Sequence, residues 1–191
     1  MANTSAPRGF SPVRDQAGRP YNGAFRLYDI PASDSTAVGV GDFVIVNGTS
    51  SASGRPQCIK ATAAGGAYIT GAVVGFLPDT RDSLVYRAAS TLRTAMVADD
   101  PDLLFECQED AVGGALALAS VSLNADWVDG TVSTVTGLSA AQLDTSTVNT
   151  TNTLQLRIVG FSDKPDNEPA VANAKVLVRI NLHTYRNLTG T

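Results

Sequence analysis

Six carboxylates fall within twelve residues of this 191-residue chain: Asp99, Asp100, Asp102, Glu106, Glu109 and Asp110, a third of its eighteen acids. Such a density invites cation binding or general acid–base work. Calcium takes several oxygens converging from one tight loop. The glycine that turns an EF-hand loop and its closing bidentate glutamate are both missing, and Pro101 interrupts the run. Paired carboxylates for glycoside hydrolysis depend on their separation in space and also need a cleft for the sugar. With a single tryptophan, Trp127, and 6% aromatic residues, the chain is poorly equipped for that. The plainer reading is that these acids flank a buried strand as solubilising edge residues, or meet Arg8, Arg14 and Arg19 of a neighbouring copy as charge-assisted pairs.

Nucleophilic catalysis of the Ser-His-Asp or Cys-His kind needs a histidine, and the chain has only His183. It sits in an alternating run near the C-terminus and reads as a surface or interface residue. Cys58 and Cys107 lack any Cys-x-x-Cys spacing and are too few for a disulfide framework, so both read as reduced core residues. Gly65-Gly66 and Gly113-Gly114 have neither the Lys-Ser/Thr nor the strand-to-helix context of a phosphate cradle and read as turns. The reading from chemistry is therefore of a non-enzyme with no cofactor and no metal.

The partners follow from charge. Charged residues make up only 17% of the chain, below the roughly 25% usual for soluble domains, and the net charge is -4. Binding nucleic acid or an anionic membrane requires clustered Lys and Arg, so neither is expected as a partner. No apolar run approaches the ~18 residues of a spanning helix, and the N-terminal residues lack a basic-then-apolar leader pattern. The expectation is a chain made in a cytosol that stays out of membranes.

The elements that must position these residues read as mainly β. Residues 1–24 carry Pro7, Pro12 and Pro20 among three arginines and three glycines, with Phe10, Val13 and Tyr21 as isolated apolar anchors. This composition reads as an extended arm that has too little apolar surface to order itself and must lie on something else. Residues 25–191 read as one β-rich domain. In it, Phe43-Val44-Ile45-Val46 precedes an Asn47-Gly48 hairpin turn and a partner strand near 57–62. Residues 68–77 form a central strand bent at Gly71 and Gly75. Residues 84–89 and 92–98 are further strands; Leu103, Phe105 and Cys107 alternate with Leu104, Glu106 and Gln108; and residues 154–161 and 175–185 close the set. Residues 111–156 contain three acids and no Lys or Arg. They read as a weakly charged insertion or lobe, with room for one short helical turn at 139–144 capped by Ser139. The fold class is a β-barrel or β-sandwich with an N-terminal arm and a long insertion.

Residues 3–13 (NTSAPRGFSPV), 70–78 (TGAVVGFLP), 90–110 (STLRTAMVADDPDLLFECQED) and 173–185 (NAKVLVRINLHTY) resemble small structural proteins of tailed bacteriophages encoded beside the major capsid protein. The Asp-Asp-Pro-Asp run with its following Phe-Glu-x-Gln-Glu-Asp is the most specific part. The resemblance implies a capsid cement or decoration role on the outside of the virion, with the major capsid protein and copies of itself, as a homotrimer, for partners. No residue-level site carries over from it. The residues themselves place partner binding on the arm, at Pro7, Arg8, Phe10, Pro12, Val13, Arg14, Arg19 and Tyr21, by strand addition to a neighbour. Deleting residues 1–24 would then leave a folded body that no longer binds heads. Two other readings are a tail-tube or head-tail connector subunit, and a glycan-binding β-sandwich with Trp127, Tyr68 and Tyr86 along one groove.

Overall fold

The computed structural model describes residues 3–187 and is mainly β, with only single-turn 3₁₀ helices besides strands. Residues 1–2 of the expected arm and 188–191 of the expected body lie outside the described residues. In chain order the strands are β1 (Ser11–Asp15), β2 (Arg26–Ile30), β3 (Phe43–Ser50), β4 (Pro56–Lys60), β5 (Gly71–Phe76), β6 (Arg93–Ala98) and β7 (Leu103–Gln108). The short β8 (Asn124–Ala125), β9 (Trp127–Val128) and β10 (Gln142–Leu143) follow, then β11 (Leu156–Phe161) and β12 (Lys175–Ile180). Strands β2-β4-β3-β5-β6 close into a barrel, and β1-β7-β12-β11-β8 form an antiparallel sheet beside it.

Period-two alternation builds two cores at once. Along β3, Val44 turns into the barrel with Tyr28, Ile30, Cys58, Val73 and Val97. Its neighbour Phe43 turns outward with Ala72 and Ala98 to meet the sheet. The sheet answers with the expected inward sets, Leu103, Phe105 and Cys107 from β7 and Val176, Val178 and Ile180 from β12. Burying each of these aliphatic or aromatic side chains contributes about 1.5–3 kcal/mol, so the seam between barrel and sheet is a principal source of stability.

Several local expectations are corrected. Asn47-Gly48 is not the hairpin turn: β3 runs through it, and the register with β4 shifts between Val46 and Ser50. The chain reverses later, at Ser51 and Arg55, where Ser51 N–H donates to the Arg55 carbonyl at 2.8 Å. Positive φ at Gly48 thus serves a bulge. Residues 84–89 are no strand; their one ladder contact is an isolated bridge between Val38 and Arg87. Residues 139–144 do not make a helical turn. Gln142–Leu143 pairs with β9, and the 3₁₀ turn comes at Thr145–Thr147, capped by Asp144 accepting from Ser146 N–H. The 111–156 lobe also contributes Leu116, Ala125, Trp127, Ala141 and Leu143 to the seam core.

Candidate interaction site

The N-terminal segment orders on its own chain, which corrects the expectation of an arm that needs a partner to lie on. Strand β1 is the edge of the five-stranded sheet, antiparallel to β7, with Ser11 opposite Glu106 and Asp15 opposite Leu103. Phe10 is fully buried, stacked on Phe43 at 4.0 Å between ring centroids and edge-on to Trp127 at 6.1 Å. Its N–H donates to the Gly41 carbonyl at 2.8 Å. Gly9 enables this approach: its φ is +68°, and a Cβ there would lie 2.5 Å from the Gly41 oxygen. One aromatic anchor thus supplies the burial that offsets the ordering of the strand.

The other expected contact residues divide. Pro7, Pro12 and Tyr21 are half-buried, whereas Arg8, Val13, Arg14 and Arg19 are exposed. Arg19 is held by Asp15, whose carboxylate accepts the Arg19 backbone N–H at 2.9 Å and its side-chain Nε at 2.5 Å. That backbone bond, with help from the guanidinium, keeps the Asp15 carboxyl below its usual range. Arg8 and Arg14 form no ion pair with any described residue.

The acids of 99–110 are satisfied within the chain. Asp99 accepts from the Tyr28 hydroxyl at 2.6 Å, and Asp100 accepts the Asp102 N–H. Asp102 pairs with Arg186, and Glu106 takes Ser162 and Lys164, both at 2.6 Å. Glu109, buried, accepts the N–H groups of Ala111 and Ala174, and Asp110 accepts from Thr145. Burial raises the pKa of Asp99 and of Glu109. The arginines of a neighbour are therefore not needed as their mates. No group of three or more metal-ligating side chains occurs among the described residues.

Beside the segment lies an open groove of about 840 Å³ between Asn3, Arg8, Glu106, Lys164, Asn167 and Lys175. Asn3 straps its rim, donating to the Glu168 carbonyl at 2.9 Å and accepting from Glu168 N–H at 2.8 Å. A second polar constellation joins the 111–156 lobe to the barrel. Asp42, fully buried, accepts from Gly39 N–H and from the Ser139 hydroxyl and lies 3.4 Å from Lys60, which also reaches Asp129 at 2.7 Å. Burial raises the Asp42 pKa against the opposing pull of Lys60. Ser139 is thus a tether, where the sequence pointed to a helix cap.

Trp127 is buried in the seam while Tyr68 is partly exposed, so the three aromatics do not share one surface groove. Both cysteines are free and buried, and burial pushes the Cys58 thiol up to about 12. No helix among the described residues is long and apolar enough to cross a membrane.

His183 is a correction as well: it is 1% exposed, not on a solvated face. Its segment joins the barrel through Thr184 N–H donating to the Ile69 carbonyl, and its Nδ1 accepts the Tyr185 N–H at 3.1 Å. Burial, reinforced by Arg186, lowers its pKa from 6.5 to about 4. The unfolded chain takes up the proton first as pH falls. The stability this histidine contributes is therefore complete above pH 6.5 and is lost between 6.5 and 4, on the order of 3 kcal/mol in all. Urea unfolding at pH 7.5 and pH 4.5 should show a larger loss in the wild type than in His183→Gln. Equal losses in the two proteins would refute the assignment.

No family model matches the chain, and neither the curated proteins nor the solved structures contain a match to it.

Proposed function

We propose that this chain is a non-catalytic structural subunit of a virus particle, a capsid cement or decoration protein of a tailed bacteriophage. It binds the outer face of the major capsid protein lattice beside copies of itself, as a trimer, and stabilises the head. The resemblance of the four segments quoted above supplies the class. The observation in the geometry that supports it best is that Arg8, Val13 and Arg14 of the N-terminal segment are exposed, with neither guanidinium ion-paired to a described residue. Exposed arginines of this kind suit an acidic partner surface, and on a shell each weak contact is repeated by symmetry. Binding only the assembled lattice then stabilises it by mass action.

The test is co-sedimentation with heads assembled without this protein, followed by a cryo-EM map of the particle. Binding with density at threefold positions is the expected outcome. Arg8→Glu combined with Arg14→Glu should weaken it by about tenfold while leaving the thermal midpoint in place, because rim charges act on association more than on folding. Absence of binding to heads would overturn the reading, and density in a sixfold ring would move the protein to the tail tube or connector.

A further inference from the structure

The seat that β1 and Phe10 occupy is built for one sequence, residues 3–15 of this chain. Phe10 fills the space beside Phe43 and Trp127, and residues Ser11–Asp15 complete the edge of β7. Gln108 brackets the segment further out, accepting from Ala6 N–H and donating to the Thr4 carbonyl, each at 2.9 Å. The connection from this seat to β2 has another character. Residues 16–20 are exposed throughout, with Gly18 at a φ of 87°. They form a tight reversal that lays residues 20–21 back along β1: Arg14 bridges Pro20, and Tyr21 N–H donates to the Val13 carbonyl at 2.9 Å. The reversal is held by the Asp15–Arg19 pair, whose arginine side chain is 81% exposed, and by Gln16 N–H donating to the Asp102 carbonyl. A segment seated by one buried aromatic is thus joined to the body by a short solvated turn.

From this we infer that residues 3–15 are exchanged between copies, so that Phe10 and β1 of one subunit occupy the β7 edge and aromatic socket of a second copy of this chain. Opening the 15–19 reversal turns β1 and residues 16–25 into one extended run. Its ten linker residues reach about 30 Å at roughly 3.3 Å per residue, enough to span to an adjacent subunit. Pro20 favours that extended form. Contacts in the seat are the same whether the segment comes from its own body or another, so what distinguishes the two arrangements is the 15–21 reversal, with the Tyr21 packing and the Val13 bond it carries, and the association entropy. In dilute solution the tethered segment has an effective concentration of order millimolar and wins. On a shell, where copies stand side by side, the neighbour's segment competes on equal terms, and exchange then links subunits through a buried aromatic rather than a surface contact. The inference rests on the proposed function only for that crowding.

The experiment uses the isolated full chain. Ser11→Cys and Glu106→Cys place thiols at partnered positions of β1 and β7, and the native cysteines are buried and do not compete. The double variant, oxidised at micromolar concentration, should give a monomer with an internal disulfide, which verifies the pairing geometry. The two single variants, one carrying a size tag, are then mixed at millimolar concentration and oxidised. A disulfide-linked heterodimer joining position 11 of one chain to position 106 of the other is the expected product. Deleting residues 17–18, which shortens the turn, should raise the linked fraction at least about fivefold, since short strained hinges favour exchange. No 11-to-106 heterodimer in the millimolar mixture, with the double variant still forming its internal disulfide, would overturn exchange. Heads play no part here, so failure of this experiment and failure to bind heads are separate results.

Discussion

Phe10→Ala is expected to lower the unfolding free energy by about 3–5 kcal/mol, the range for emptying a fully buried aromatic site. The ring lies at 0% exposure, stacked on Phe43 and edge-on to Trp127, so its loss leaves a void between barrel, sheet and lobe. The void is hard to collapse, because Gly9 and Gly41 already hold the two backbones in close contact. Deleting residues 1–24 should be worse still. It removes the same ring and strips β7 of its edge partner, exposing an unpaired strand edge in a chain that has lost part of its core. The truncated protein is expected to be insoluble or to lose its cooperative unfolding transition. Val13→Ala, on the exposed face of the same strand, should cost under about 0.5 kcal/mol and serves as the control. Urea denaturation of the two point variants decides the matter. A Phe10→Ala protein as stable as Val13→Ala would mean that the N-terminal segment is not part of the folded core.

That outcome bears on how far the fold was legible. Alternation picked out the seam-facing sets of β7 and β12, Leu103, Phe105 and Cys107 and Val176, Val178 and Ile180, but the half-buried reading of β7 does not hold, because Leu104 and Gln108 on its other face are buried too, as is Leu177 on β12. The N-terminal segment gave the opposite impression because its stabilisation comes from one ring in a distant socket. Three apolar residues among prolines and arginines look too sparse to order a chain, and nothing local reveals that Gly9 will meet Gly41. The Asn47-Gly48 pair misled for a related reason. Positive φ is what the dipeptide supplies, and a bulge uses it as well as a turn does. The candidate site was legible in part. Of the expected contact residues Arg8, Val13 and Arg14 are exposed, while Phe10 faces inward.

Charged residues were the least legible, since a lone Asp or Arg in sequence reads as solvated surface. Asp42 and Arg87 are both fully buried, and each fixes a stretch of chain that has no ladder of its own. Asp42 gathers Gly39, Ser139 and Lys60 and thereby ties the lobe to the barrel. The carboxylates of 99–110 behave alike: the acidic cluster is a set of separate pairings, in which Asp102 takes the Gln16 side chain and Arg186 while Glu106 and Glu109 hold the 162–175 segment to β7.

Arg87→Ala is expected to destabilise the protein by about 3–5 kcal/mol, as when one partner of a buried charge pair is removed. The guanidinium donates to four carbonyls: Thr91 at 2.8 Å, Pro31 and Asp34 at 2.7 Å each, and Thr36. It also lies 3.7 Å from the Asp34 carboxylate, which the described residues supply with no other cation. Truncation would take one donor from each of these carbonyls, of which Pro31 and Asp34 keep the N–H groups of Asp34 and Ser90, and would leave the carboxylate without a counter-charge. Arg87→Lys should recover little, because one ammonium with three protons cannot reach acceptors arranged around a planar fork. Arg87→Met should restore volume but not stability, which separates lost packing from lost hydrogen bonding. The damage should also be local in hydrogen exchange. Val38 and Arg87 exchange backbone bonds at 3.0 and 2.9 Å, so the Val38 amide should lose protection while those of β7 and β12 keep theirs. An Arg87→Met protein within about 1 kcal/mol of wild type would show that the guanidinium is a spectator. The 84–89 segment, with Leu84 and Val85 at the surface, would then need another anchor.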